Sequence, residues 1–244
     1  MTSVQEQIFD VRGLRVAVTG AASGLGFAMA EVLADCGAHV TLADIDAQRL
    51  EGVTGSLVER GASARSFVLD VSDESQVEAL IGDVVAAEGG IDVVFANAGF
   101  GAARGFLEET PEHWRAMVLT NVLGVAFTIR ATLPHMLERG TGHYLVTSSI
   151  AGRRVLPGSL YSATKWAATA IGEALRQELR QMHENDAIKV TLIEPGMVDT
   201  PFFDNKPTGA LEADDIAAAI AYAVSQPDRV DVNEILIRPI SQSS

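Results

Sequence analysis

Seven short apolar runs, at residues 15–18, 40–43, 66–69, 93–96, 144–147, 190–193 and 234–237, alternate with longer stretches of helical period. The runs carry apolar residues at successive positions rather than at every second one. Strands of this kind need cover on both faces, which helices supply in a parallel sheet joined by right-handed crossovers. The expected fold is therefore α/β, a doubly wound parallel sheet of seven strands with helices on both faces. Helices are predicted at 24–35, 47–60, 74–87, 111–138, 160–182 and 213–224, with Ser72 and the Thr110-Pro111 pair as start signals. No repeat or Pro/Gly/Ser linker divides the chain, so 1–244 reads as one domain, with 241–244 as a frayed tail.

Charge narrows the partners. A formal net charge of -14 argues against nucleic acid and against an anionic membrane surface, since both would be repelled at long range. Residues 1–10 lack a cationic start followed by an apolar core, and no run approaches the roughly 20 apolar residues of a membrane span. The single cysteine, Cys36, rules out an internal disulfide framework and sits in an apolar helical stretch with Met29, Val32 and Leu33. The expected location is cytoplasmic. No metal-ligand spacing is read.

The first strand runs directly into Thr19-Gly20-Ala21-Ala22-Ser23-Gly24-Leu25-Gly26 and a helix. Gly20, Gly24 and Gly26 at a strand-to-helix turn let backbone approach a pyrophosphate, while Ser23, Leu25 and the exposed amides face the positive end of the helix dipole. Alone, such a turn is equally well a tight corner without ligand. Asp44 adds weight: it ends the second strand, 24 residues after Gly20, where a carboxylate binds the ribose hydroxyls of adenosine. Ile45 follows it in the same adenosine-binding set, and Asp46 suits a helix cap. A carboxylate at position 44 repels a 2′-phosphate, and no Lys or Arg stands in the turn or beside Asp44, so NAD is favoured over NADP.

Tyr161 and Lys165 lie four residues apart in a helical stretch, on one face. An ammonium beside a phenol favours phenolate and would lower the Tyr161 pKa toward neutrality, making it a general acid/base. A surface helix pair also fits this spacing taken alone.

In combination these motifs resemble those of the short-chain dehydrogenase/reductase family: the glycine turn, Asn97-Ala98-Gly99, Ser148-Ser149-Ile150-Ala151-Gly152, Tyr161-Ser162-Ala163-Thr164-Lys165 and Pro195-Gly196-Met197-Val198-Asp199-Thr200, in that order. The resemblance spans almost the whole chain and implies a Rossmann fold and hydride transfer between NAD(H) and a small alcohol or carbonyl compound. It further implies that Asp70 and Val71 contact adenine, and that Asn97, Ala98 and Gly99 line the cofactor cleft. Tyr161 and Lys165 also touch the cofactor, while Pro195, Gly196, Val198 and Thr200 hold its nicotinamide end. Asn121 is implied to anchor a proton-relay water.

The active-site serine departs from the family's spacing. Ser149 matches the Ser-Ile-Ala-Gly motif but lies 12 residues before Tyr161, one fewer than usual, whereas Ser148 has the usual separation. Ser149 is the expected catalytic residue, with Ser148 turned to the core and the shortening absorbed at Pro157-Gly158-Ser159.

Only a short loop, 200–212, follows Thr200 where the family carries a substrate lid. Phe100, Leu156, Met197, Phe202 and Phe203 are candidates for an apolar, open pocket. Arg153 and Arg154 are read as solvated loop residues. The resemblance also implies a homotetramer or homodimer, packed through helices 111–138 and 160–182 by faces bearing Met117, Phe127, Trp166 and Leu175. Two other readings stand beside it. An epimerase of the extended family would need a larger C-terminal domain, and a non-catalytic NAD-binding sensor or scaffold would have no need of Asn121, a serine, Tyr161 and Lys165 together.

Overall fold

A computed structural model describes residues 11–203, 205 and 207–242. Its centre is β1 (Arg15–Thr19), whose buried Val16, Ala17 and Val18 pair with β2 (His39–Asp44) on one edge and β4 (Val93–Ala96) on the other. Adding β3 (Ser63–Val68), β5 (Gly142–Thr147), β6 (Ile188–Pro195) and β7 (Glu234–Ile237) completes an all-parallel seven-stranded sheet in the order β3-β2-β1-β4-β5-β6-β7. This is the doubly wound Rossmann-type arrangement expected. Strand order reverses between β1 and β4, which opens a crevice at their carboxyl ends where ligands bind in such sheets.

Helices α1 (Gly24–Asp35) and α7 (Ala213–Val224) cover one face, against a core of Val16, Val18, Met29, Leu33, Phe95 and Ile220. Helices α3 (Glu74–Glu88) and α6 (Leu160–Gln181) cover the other, over Ala17, Leu80, Val94, Tyr144, Val146 and Leu175. Helix α2 (Ala47–Glu59) starts from Asp46, whose carboxylate accepts the Arg49 amide.

Several boundaries differ from expectation. Strand β3 begins at Ser63 and ends at Val68 rather than spanning 66–69, because an edge strand has one solvent-facing side and its apolar run marks only part of it. Helix α3 is capped by Asp73, not Ser72: Asp73 accepts the amides of Ser75 and Gln76, while Ser72 bonds back to Asp70. The predicted continuous helix 111–138 is three pieces, α4 (Pro111–Val118), a π-turn (Leu119–Leu123) and α5 (Gly124–Arg139). Thr110 does cap α4, with Pro111 in its first turn.

By length and composition the stretch Pro111–Arg139 is apolar enough to cross a membrane, contrary to the sequence expectation. Its Met117, Val125, Ile129 and Met136 are buried, as in the core helix of a globular protein. Met117 and Leu175 are likewise buried within the fold, so these two do not contribute to the intersubunit face expected of them; Phe127 is partly buried against the same core and Trp166 is exposed. Of the predicted tail, residues 243 and 244 lie outside the described residues.

Candidate active site

The glycine turn is rigidly made. Gly20 (φ +67) and Gly24 (φ +56) adopt the left-handed region that a side chain disfavours. A Cβ on Gly26 would lie 2.2 Å from the Gly20 carbonyl, and one on Gly20 would lie 2.8 Å from Ala98 Cα. From β4, Asn97 Nδ2 donates to the carbonyls of Thr19 and Gly20, both at 3.1 Å, and Asn97 Oδ1 accepts from Thr147 Oγ1 at 2.9 Å. Thr19 Oγ1 in turn accepts the amides of Asn97 and Ala98. Ser23 stands at the N-cap of α1 with its hydroxyl making no capping bond, free to meet an anion there. Thr200 packs against Gly24, where an added Cβ would lie 3.4 Å from its Cβ and 3.6 Å from its methyl group, linking the turn to the loop after β6.

Asp44 reaches the same crevice from β2. Its Oδ2 accepts the Ala22 amide at 2.9 Å and its Oδ1 the Asp46 amide at 3.0 Å. A carboxylate has about four lone-pair sites, so capacity remains for ribose hydroxyls. Ile45 beside it is exposed, Val71 is buried against Gly124, and Asp70 Oδ1 is taken by Ser72. At the far end Gly196 leaves room for Gln242 and Pro239, Val198 is buried, and Pro195 ends β6.

Between these ends lie the candidate catalytic groups. Ser149 caps a 3-10 turn (Ile150–Gly152): its Oγ accepts the Ala151 amide at 3.0 Å and donates to the Pro195 carbonyl at 3.5 Å, and it lies close enough to the Tyr161 phenol to lower that group's pKa. Ser148 faces the opposite way, with Oγ on the Lys165 carbonyl at 3.0 Å and on Thr169 Oγ1 at 2.6 Å. One turn along α6 from Tyr161, Lys165 Nζ donates to the Thr147 carbonyl at 2.8 Å and lies 5.7 Å from the phenol ring centre.

Burial pushes Tyr161 up to about 12, with the Ser149 hydrogen bond pulling the other way, and pushes Lys165 down to about 8. The direction for Tyr161 is opposite to that expected, because desolvation of the phenolate outweighs the neighbouring groups. Asn121 sits in the π-turn with both of its amide N–H donors occupied. Oδ1 accepts the Phe100 amide at 3.0 Å, and Nδ2 donates to the Phe100 carbonyl at 2.9 Å and to Thr164 Oγ1 at 3.1 Å. Both side-chain donors are spent, so a water anchored by them is not supported. Gly99 closes this corner: a Cβ there would meet Asn121 Oδ1 at 2.9 Å and Lys165 Nζ at 3.6 Å.

Arg153 is not a solvated loop residue. Its Nε is 2.6 Å from Oε1 of the fully buried Glu194, and its Nη2 pairs with Glu234. This guanidinium ties the serine turn to β6 and β7. Sequence reasoning missed Glu194, Thr147 and Thr164 as partners of the site, since no short spacing links them to the residues they hold. An acidic residue closing the apolar run Leu192-Ile193 was the available signal for Glu194.

The family model described as short chain dehydrogenase matches residues 15–210. An uncharacterized oxidoreductase of Staphylococcus saprophyticus is 38% identical over 228 residues, which cover 91% of this chain and 96% of that relative. An alcohol dehydrogenase from the archaeon Thermococcus sibiricus, complexed with 5-hydroxy-NADP, is 33% identical with a TM-score of 0.87, covering 96% of this chain and 99% of its own. A short chain dehydrogenase/reductase from Burkholderia phymatum, in complex with NAD, is 29% identical with a TM-score of 0.85 over 93% of this chain and 90% of its own.

Proposed function

The chain belongs to the short chain dehydrogenase family of oxidoreductases, and from that premise we propose that it interconverts a small secondary alcohol and its ketone using NAD(H), with Tyr161 as general acid/base. The observation that carries this reading is the placement of Lys165 Nζ 5.7 Å from the Tyr161 ring centre and on the Thr147 carbonyl, with Ser149 on the turn that follows the same strand, beside the glycine turn. The absent side chains at Gly20 and Gly26 and the free Ser23 hydroxyl fit a dinucleotide pyrophosphate. Asp44 supports NAD over NADP by charge, while the similar proteins above bind one or the other.

When bound, NAD(H) supplies the hydride acceptor or donor and, oxidised, a positive charge that favours phenolate at Tyr161. In the reducing direction Tyr161 would give its phenolic proton to the substrate oxygen, be left as phenolate and be reprotonated from solvent, with the hydride coming from the bound cofactor; in the oxidising direction the phenolate would take the alcohol proton. The Ser149 hydroxyl donates to the substrate oxygen and stabilises charge developing there. Lys165, titrating at about 8, is mostly protonated at neutral pH and favours the phenolate from the same side. Asn121 is a positioning residue in this reading, clamping Phe100 to Thr164 next to the lysine. Assembly as a homodimer or homotetramer belongs to the same reading, with Trp166 exposed on α6.

The test is reduction of NAD⁺ or NADP⁺ against a panel of secondary alcohols, for the native protein, Tyr161→Phe and Asp44→Ala. Turnover with NAD⁺ that disappears in Tyr161→Phe is expected. Tight NAD binding without turnover on any alcohol would instead favour a non-catalytic sensor.

A further inference from the structure

The ring of Phe202 lies on Tyr161. Their centroids are 5.4 Å apart with the planes tilted by 52°, and Phe203 stacks edge-on behind Phe202 at 5.1 Å. The tip of the Phe202 ring also rests against Gly101, where a Cβ would come within 2.8 Å of its Cζ. Gly101 is itself pinned, since its carbonyl meets His113 Nε2 at 2.9 Å and the His113 ring packs edge-on to Phe100 at 5.1 Å. Phe202 thus touches both the Gly101 backbone and the phenol, two residues beyond the Thr200 that touches the glycine turn, and it remains 43% exposed.

The rest of the mouth has the same character. The Gly105 amide donates to the Gly158 carbonyl at 2.9 Å and joins two loops that carry the exposed Phe106, Leu107 and Val155. Among the described residues, the cations near the reacting groups are committed elsewhere: Arg153 to Glu194 and Glu234, Lys165 to the Thr147 carbonyl. Arg104 and Arg154, which have no ion pair among the described residues, are exposed on those same outer loops. An anionic group beside Phe202 would lose hydration and find no uncommitted cation beside it among the described residues, whereas a flat apolar group gains ring contact.

We infer that Phe202 is a specificity-determining residue and that the substrate is an uncharged secondary alcohol or ketone bearing an apolar ring next to its reacting carbon. This rests on the oxidoreductase reading above. Three ketones serve as probes: acetophenone, butan-2-one and the carboxylate 4-oxopentanoate, each reduced with NADH by the native protein, Phe202→Ala, Phe202→Tyr and Gly101→Ala. In parallel, acetophenone is titrated calorimetrically into the NAD⁺-saturated proteins, where it cannot react.

Acetophenone is expected to have the highest kcat/KM. Phe202→Ala lowers the ratio of kcat/KM for acetophenone to that for butan-2-one by at least about fivefold, Gly101→Ala moves it the same way, and Phe202→Tyr restores it. The calorimetric Kd rises in step. An unchanged ratio in Phe202→Ala overturns the inference, as does a preference for 4-oxopentanoate that Arg154→Ala removes. If NADH binds but no ketone is reduced, the oxidoreductase reading fails on its own, and calorimetry still decides the inference. Weaker acetophenone binding in Phe202→Ala then supports it, while unchanged or undetectable binding to the native protein overturns it.

Discussion

Glu194 Oε1 lies 2.6 Å from Arg153 Nε, with the carboxylate fully buried and the guanidinium reaching partly to solvent. Its other oxygen, Oε2, has no hydrogen-bond partner among the described residues. A buried charge in this position depends on its single counter-ion. Arg153→Met is therefore expected to destabilise the fold by about 3–5 kcal/mol, and Glu194→Gln in the Arg153→Met background to recover part of that loss. Urea unfolding of the two single variants and the double variant measures the coupling; additive effects would show the pair to be independent.

His143 is buried on β5 against Thr191 Oγ1, and desolvation, helped by Lys189, holds its pKa down at about 3. The unfolded chain, titrating near 6.5, binds more protons than the folded one between these values, so the contribution of His143 to stability is present above about pH 6.5 and is lost as pH falls toward 3. Between pH 7 and pH 5 this loss amounts to about 2 kcal/mol. His143→Gln, which keeps a polar group toward Thr191, is expected to flatten the pH dependence of unfolding over that interval by this amount.

Gly26→Ala places a methyl group 2.2 Å from the Gly20 carbonyl and 2.7 Å from Asn97 Nδ2. Neither neighbour is a flexible chain end, so the turn must shift. A loss of about 1–3 kcal/mol in stability and a fall of more than about tenfold in NAD affinity are expected, read by thermal melting and by calorimetry. Gly52→Ala, where nothing stands within 4 Å of the added carbon, serves as the control with neither effect.

Tyr161→Phe removes the hydroxyl but keeps the ring under Phe202. A fall in kcat of about 10²–10⁴-fold is expected, the usual contribution of a positioned general acid/base. Stopped-flow measurement of a single turnover separates this from slow product release.

The central sheet was legible because strands covered on both faces must be apolar at successive positions, as Val93, Val94, Phe95 and Ala96 are. Edge strand β3 was half hidden, since only part of its side chains turn inward. The π-turn was not legible at all: Leu119–Leu123 has the composition of ordinary helix, and its extra residue per turn answers to the contacts of Asn121 with Phe100 and Thr164, far apart in the chain. Motif matching placed Ser149 and Tyr161 on the same site, where spacing alone pointed to Ser148. The sign of the Tyr161 shift was beyond sequence, because a Tyr-x-x-x-Lys spacing reports proximity but not how much water burial removes.

Asn97 and Thr19 lace the glycine turn to β4 through protein atoms alone. Ordering a backbone residue costs roughly 1–2 kcal/mol, and a loop that closes only around its ligand loses that from the affinity. A turn held by its own hydrogen bonds would not have to be ordered by a dinucleotide that docks there, so that cost would not be taken from the cofactor's affinity.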